Sequence, residues 1–89
     1  MRTSVHAAKR MRQRGIKREF MGRLLDNADI ERSIGGNCRL YRVSRSLARQ
    51  LRDERLSHYV AIISDDTGNL VTVFPDHGNR AAARYRVRH

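Results

Sequence analysis

The spacing of apolar positions changes several times along the chain, and each change marks an element. Val5, Ala8 and Met11 recur every third residue, a thin apolar stripe that predicts a helix from about Ser4 to Arg14. Thr3 or Ser4 stands where a side-chain oxygen caps the first free N–H groups. Gly15 stands where the chain must turn left-handed to leave the helix, and Ile16 would then fold back onto Met11. Phe20, Met21, Leu24, Leu25 and Ala28 form a broader apolar face, which predicts a second helix from about Lys17 to Ala28. This second helix is the stronger core element. Asp26, Asp29 and Glu31 form an acidic patch at its exit.

Beyond this point the period shortens towards two. A weak strand is expected near Ile30 to Ile34, a turn at Gly35-Gly36-Asn37, and a better strand from Cys38 to Val43. Leu40 shares one face of that strand with Cys38 and Arg42; Tyr41 and Val43 share the other. Ser44-Arg45-Ser46 reads as a helix start, and Leu47, Ala48 and Leu51 follow at helical spacing. A third helix of about ten residues, ending near Glu54, would expose Arg45, Arg49 and Arg52. The runs His58 to Ser64 and Leu70 to Phe74 are β-rich and flank the polar turn Asp65-Asp66-Thr67-Gly68-Asn69, an antiparallel hairpin. Both of its strands are apolar on both faces, which places them centrally beneath the helices. Pro75 closes the last strand.

The order is helix, helix, strand, strand, helix, strand, strand. It predicts an α+β fold: two N-terminal helices packed on a small antiparallel β-sheet, with a short third helix between strands. The 89 residues divide into one domain, 1–76, and a basic C-terminal tail, 77–89, which holds Arg80, Arg84, Arg86 and Arg88 and no acid.

Charge sharpens the picture. Nineteen basic residues stand against 9 acidic ones, a formal net charge of +10, and all the basic residues but Lys9 and Lys17 are arginines. Arginine grips a phosphate at two points and stacks on bases. A field of this sign draws polyanions, so a nucleic acid is the expected partner, with an acidic protein as the alternative. The single cysteine, Cys38, permits no internal disulfide and reads as a core residue of its strand. No apolar run approaches the length of a membrane span, and the basic N-terminus lacks the apolar stretch of a secretory signal. A cytoplasmic location without membrane contact is expected.

Ser4-x-His6-Ala7, Arg10-Met11 and Arg14-Gly15-Ile16 resemble the opening of a bacterial family of small uncharacterised domains. The string from Tyr41 to Leu51 and the closing Leu70-Val71-Thr72-Val73-Phe74 resemble it too. That family is similar to the BrnT toxins and, through them, to the RelE/ParE superfamily of toxin–antitoxin modules. The resemblance implies two helices on a small antiparallel sheet, ribonuclease activity without metal, and a cognate antitoxin covering the active face.

Metal-free RNA cleavage needs a base for the 2′-hydroxyl proton, cations for the phosphate, and an acid for the leaving oxygen. His6, Arg10 and Arg14 stand four apart and share one face of the first helix. His6 is a candidate acid or base because imidazole titrates near neutrality, and Arg14 a candidate phosphate holder. His58 and Tyr59 open a strand and point to opposite faces, so one of them would face a groove. The expected catalytic set is therefore His6, Arg14, His58 and Tyr59. The expected nucleic-acid contacts are Lys9, Arg10, Arg12, Arg39, Tyr41, Arg42, Arg45, Arg49, Arg84 and Arg86, with Tyr41 and Tyr85 able to stack on bases. His77 follows the last strand, where a groove-lining residue would sit. No metal or other cofactor is expected, since neither paired cysteines nor a His-x-x-x-His pair is present. RNA is the favoured target. The alternative function is a non-catalytic nucleic-acid or protein binder, a regulator or a phage-type inhibitor of a nucleic-acid enzyme.

Overall fold

The computed structural model describes residues 2–76. Helix α1 spans Val5–Arg14 and α2 spans Arg18–Asn27. Strands β1 (Ile30–Gly35) and β2 (Cys38–Arg42) follow, then α3 (Arg45–Gln50), a 3-10 turn (Glu54–His58), and strands β3 (Tyr59–Ser64) and β4 (Leu70–Pro75). The fold is α+β, as the periodicity predicts.

Local chemistry sets the boundaries. The Ser4 hydroxyl accepts from the Ala7 N–H at 3.0 Å and so caps α1. Gly15 leaves the helix at φ 65°, and the Ile16 N–H donates to the Met11 carbonyl at 2.9 Å. Ile16 and Met11 are both buried in the same cluster, the fold-back expected of a left-handed stop. Ser44 repeats the cap at α3, accepting from the Leu47 N–H at 3.1 Å.

The third helix is shorter than its apolar spacing suggests. It ends at Gln50, and Arg52 adopts a left-handed φ of 56°. The Asp53 N–H then reaches back to the Ala48 carbonyl at 3.0 Å, closing the helix end. No glycine marks this stop, which is why the sequence pattern runs through it. His58 consequently ends the 3-10 turn instead of opening the strand.

The four strands form an antiparallel meander in the order β1-β2-β3-β4. Leu40 lies opposite Ile62 and Tyr41 opposite Ala61. The expectation that both hairpin strands lie centrally holds for β3 alone; β4 is an edge strand. Its apolar character has a different cause. Helix α1 packs on β4, and the residues before α1 run beside its start, with Ser4 N–H to Leu70 O at 2.9 Å and Leu70 N–H to Arg2 O at 2.8 Å. The Ser4 hydroxyl also donates to the Val71 carbonyl at 3.1 Å. This cover shields part of an otherwise open edge.

One sheet face carries Val43, Ala61, Leu70 and Val73 against Ala7, Met11, Ile16, Met21, Leu24, Ala48 and Leu56 from the helices and connections. Each large side chain fully buried there contributes about 1.5–3 kcal/mol relative to its exposed state. The opposite face carries Leu40, Val60 and Ile62, with Ile34, Cys38, Val71 and Phe74 packed beside them. Cys38 is thus a packing residue.

Candidate functional site

Three chain segments end together at one end of the sheet. Strand β2 ends at Arg42, the 3-10 turn ends at His58, and β4 ends just before Asp76. Tyr59 pairs with Pro75, and the Asp76 N–H donates to the His58 carbonyl at 2.7 Å. The β3–β4 register therefore fixes Asp76 beside His58, at the same end of the sheet as Arg42.

Helix α3 starts three residues beyond Arg42, and its position is fixed by a relay. Asp29, just past α2, accepts from the Ser44 N–H at 2.7 Å and from the Ser44 hydroxyl at 2.5 Å. The same hydroxyl accepts from Leu47 to cap α3. Burial pushes the Asp29 carboxyl up, but the Ser44 bonds and the nearby Arg42 charge outweigh it and hold the group below its ordinary range. Arg45 and Arg49 follow, one helical turn apart and both exposed.

These elements enclose a cleft of about 570 Å³ lined by Arg42, Arg45, Arg49, Glu54, Ser57, His58 and Asp76. That volume falls in the range of small-molecule and nucleotide pockets. Its charges are not equivalent. Arg42 donates to Asp76 Oδ2 at 2.6 Å, and this pair is largely withdrawn from water, the side chains being 21% and 4% exposed. Arg45 and Arg49 have no carboxylate partner among the described residues, so their charge is open to a ligand. The Ser57 hydroxyl donates to the Glu54 carbonyl at 2.9 Å. His58 is exposed at the rim.

The cleft brings together His58, Arg42, Arg45 and Arg49 from the residues expected on sequence grounds. The others lie elsewhere. His6, Lys9, Arg10, Arg12 and Arg14 sit on α1, with His6, Lys9 and Arg12 exposed. Arg10 donates to Gln13 at 3.4 Å, and Arg14 Nε is buried with no partner among the described residues. Tyr59 is half-buried in the helix-side core. Its ring meets Phe20 edge-on at 5.8 Å, and the Arg55 guanidinium covers both rings, 4.6 Å from that of Phe20 and 5.6 Å from that of Tyr59. That is a packing role.

Arg39 and Tyr41 form a separate cluster towards the β3–β4 turn. Arg39 donates to Glu31 at 2.9 Å and to Asp65 at 3.0 Å. Burial raises the Tyr41 hydroxyl's pKa, and a hydrogen bond with the Glu31 carboxylate raises it further. The Arg39 charge is thus already paired with two carboxylates. His77, Arg84, Tyr85 and Arg86 lie outside the described residues.

Sequence reasoning did not find Glu54, Ser57 or Asp76. Ser57 adjoins His58 in sequence, and Asp76 follows the proline that closes β4, so the adjacency of a strand end to a histidine was the only available signal. Among the described residues, no group of three or more His, Cys, Asp or Glu side chains is placed to hold a metal. No described helix is long and apolar enough to cross a membrane. No protein-family model matches the chain, nor does any curated protein or solved structure.

Proposed function

We propose that the protein binds nucleic acid through the Arg42–His58 cleft, with Arg45 and Arg49 gripping backbone phosphate. The observation that carries this reading is the pair of exposed arginines one helical turn apart, without acidic partners among the described residues, on the wall of a nucleotide-sized cleft. Their planar forks suit phosphate oxygens, and the net charge of +10 draws the polyanion in. Binding of a fluorescein-labelled oligonucleotide, followed by anisotropy across a salt series, tests it. The Arg45→Ala, Arg49→Ala double variant should bind more weakly, and its plot of log K against log salt should flatten by roughly 1.5, the loss of two phosphate contacts on a single strand. An unchanged affinity and slope would overturn the reading.

The second reading is metal-independent RNA cleavage, of the kind the toxin resemblance implies. The position of His58 in the same cleft as the two open arginines favours it. The 2′-oxygen would lose its proton to a base, attack the adjacent phosphorus and expel the 5′-oxygen, which takes a proton from an acid. His58 is the imidazole of the cleft that would move the proton, Glu54 and Asp76 are its carboxylates, and Arg45 and Arg49 hold the charge that builds on the phosphorus oxygens. Labelled RNA incubated with the protein and a chelator should yield defined fragments, and His58→Ala should abolish them while leaving RNA binding within about twofold. Intact RNA in every lane leaves the binding function alone. An acidic antitoxin-like protein would compete with RNA for the same two arginines.

A further inference from the structure

The Asp76 carboxylate holds a position that phosphate binding does not account for. Its side chain is 4% exposed, its Oδ2 is taken by Arg42 at 2.6 Å, and its Oδ1 is buried with no hydrogen-bond partner among the described residues. A buried carboxylate oxygen without a donor is unfavourable, and such groups are nearly always paired in folded proteins. Asp76 lines the cleft, and Oδ1 is the one oxygen of its carboxylate still without a donor among the described residues.

The chemistry of a ligand in the cleft follows from the sign of the charge. A phosphate oxygen is repelled by a carboxylate and has no proton to give, so phosphate belongs on Arg45 and Arg49. What Asp76 accepts is a donor attached close to the phosphate. The internal sugar–phosphate backbone of DNA has no hydrogen-bond donor. That of RNA has one per nucleotide, the 2′-hydroxyl. A cleft that offers cations on one wall and a buried, unsatisfied acceptor on another is complementary to a ribose phosphate.

We propose that Asp76 accepts a hydrogen bond from a ribose 2′-hydroxyl and so makes the cleft selective for RNA over DNA. The proposal rests on the nucleic-acid reading given above and adds the sugar to it. Arg42 is the positioning residue: it holds Oδ2 and thereby fixes where Oδ1 can meet the ligand. The backbone bond from Asp76 N–H to the His58 carbonyl holds residue 76 beside His58 independently of its side chain.

The test uses the full chain and short single-stranded oligonucleotides of one sequence in three forms: RNA, DNA, and RNA with every 2′-hydroxyl methylated. Methylation removes the donor and keeps the ribose. The wild-type protein should bind RNA about tenfold more tightly than either other form, the value of one hydrogen bond to a charged group. In Asp76→Ala that ratio should fall close to one. The ratio is insensitive to the general gain in positive charge, which strengthens binding of all three forms alike. Should Asp76→Ala fold poorly by thermal melting, Asp76→Asn preserves the shape with a weaker, neutral acceptor and should give an intermediate ratio.

Equal wild-type affinity for RNA and methylated RNA would overturn the proposal, as would an Asp76→Ala ratio equal to that of the wild type. Discrimination that follows a guanine in RNA and DNA alike would overturn it too, because the donor would then come from the base. Failure of the underlying reading looks different: binding of all three forms would be indifferent to Arg45→Ala, Arg49→Ala.

Discussion

Asp29 and Arg42 show how single residues hold the cleft in shape. Asp29 receives both the N–H and the hydroxyl of Ser44, which fixes the start of α3 and hence the direction of Arg45 and Arg49. Asp29→Asn keeps the size but loses the charge and one acceptor, and should cost about 1 kcal/mol of stability at neutral pH. The pH dependence has a definite sign. The folded state holds the Asp29 carboxyl below its ordinary range, so its contribution is present above the unfolded value and is lost as pH falls through the folded one. Urea melts of the wild type and Asp29→Asn should therefore differ at pH 7 and converge in acid, below about pH 4. A gap that does not shrink at all as pH falls through and below the ordinary carboxylate range would assign the effect to packing. Arg42 is different in kind, because its partner is withdrawn from water. Arg42→Ala strands Asp76 as a buried charge and should destabilise the fold by about 3 kcal/mol. Asp76→Ala leaves a cation that is 21% exposed and still reaches solvent, and should cost less. Melts of the two variants under one condition check that order.

At the level of elements, the decisive features are helix ends and strand register. Gly15 takes φ 65° with open space where a Cβ would stand, so Gly15→Ala tests the backbone alone. The left-handed conformation should cost about 1 kcal/mol with no clash added, measurable as a lower urea midpoint at an unchanged slope. Features of this kind were legible in the sequence because they are local: Ser4 and Ser44 as caps, Gly15 as a stop, the Asp65–Asn69 turn as a hairpin. The stop of α3 was not legible, because Arg52 turns left-handed with no glycine to announce it. The edge position of β4 was not legible either, since its apolar outer side is explained by α1 and the segment Arg2–Ser4, which come from the far end of the chain. The same division runs through the site. Arg45 and Arg49 share a wall of the cleft because of helical spacing, which a sequence displays. Arg42, His58 and Asp76 meet because three segments end at one sheet margin, which only the register reveals. The His6–Arg10–Arg14 row followed from the same helical spacing, yet α1 carries it on a different part of the molecule from the cleft.

For the molecule as a whole, two populations of cationic side chains follow from this arrangement, and they should differ in kinetics. Arg45 and Arg49 line the cleft and would touch bound RNA. Lys9, Arg10 and Arg12 lie on α1, outside the cleft, and contribute to the field that a net charge of +10 projects. Charges that make contact slow dissociation, whereas charges that only steer speed association and lose their effect within a Debye length, about 8 Å at physiological salt. Replacing Lys9, Arg10 and Arg12 together by glutamine should lower the association rate for labelled RNA several-fold in dilute buffer. The dissociation rate should stay unchanged, and the association gap should close as salt rises. Arg45→Ala, Arg49→Ala should instead raise the dissociation rate at every salt concentration. Stopped-flow fluorescence separates the two constants. If the α1 replacements also speed dissociation, α1 touches the RNA, and the binding surface extends from the cleft across the helix where the arginine spacing first pointed.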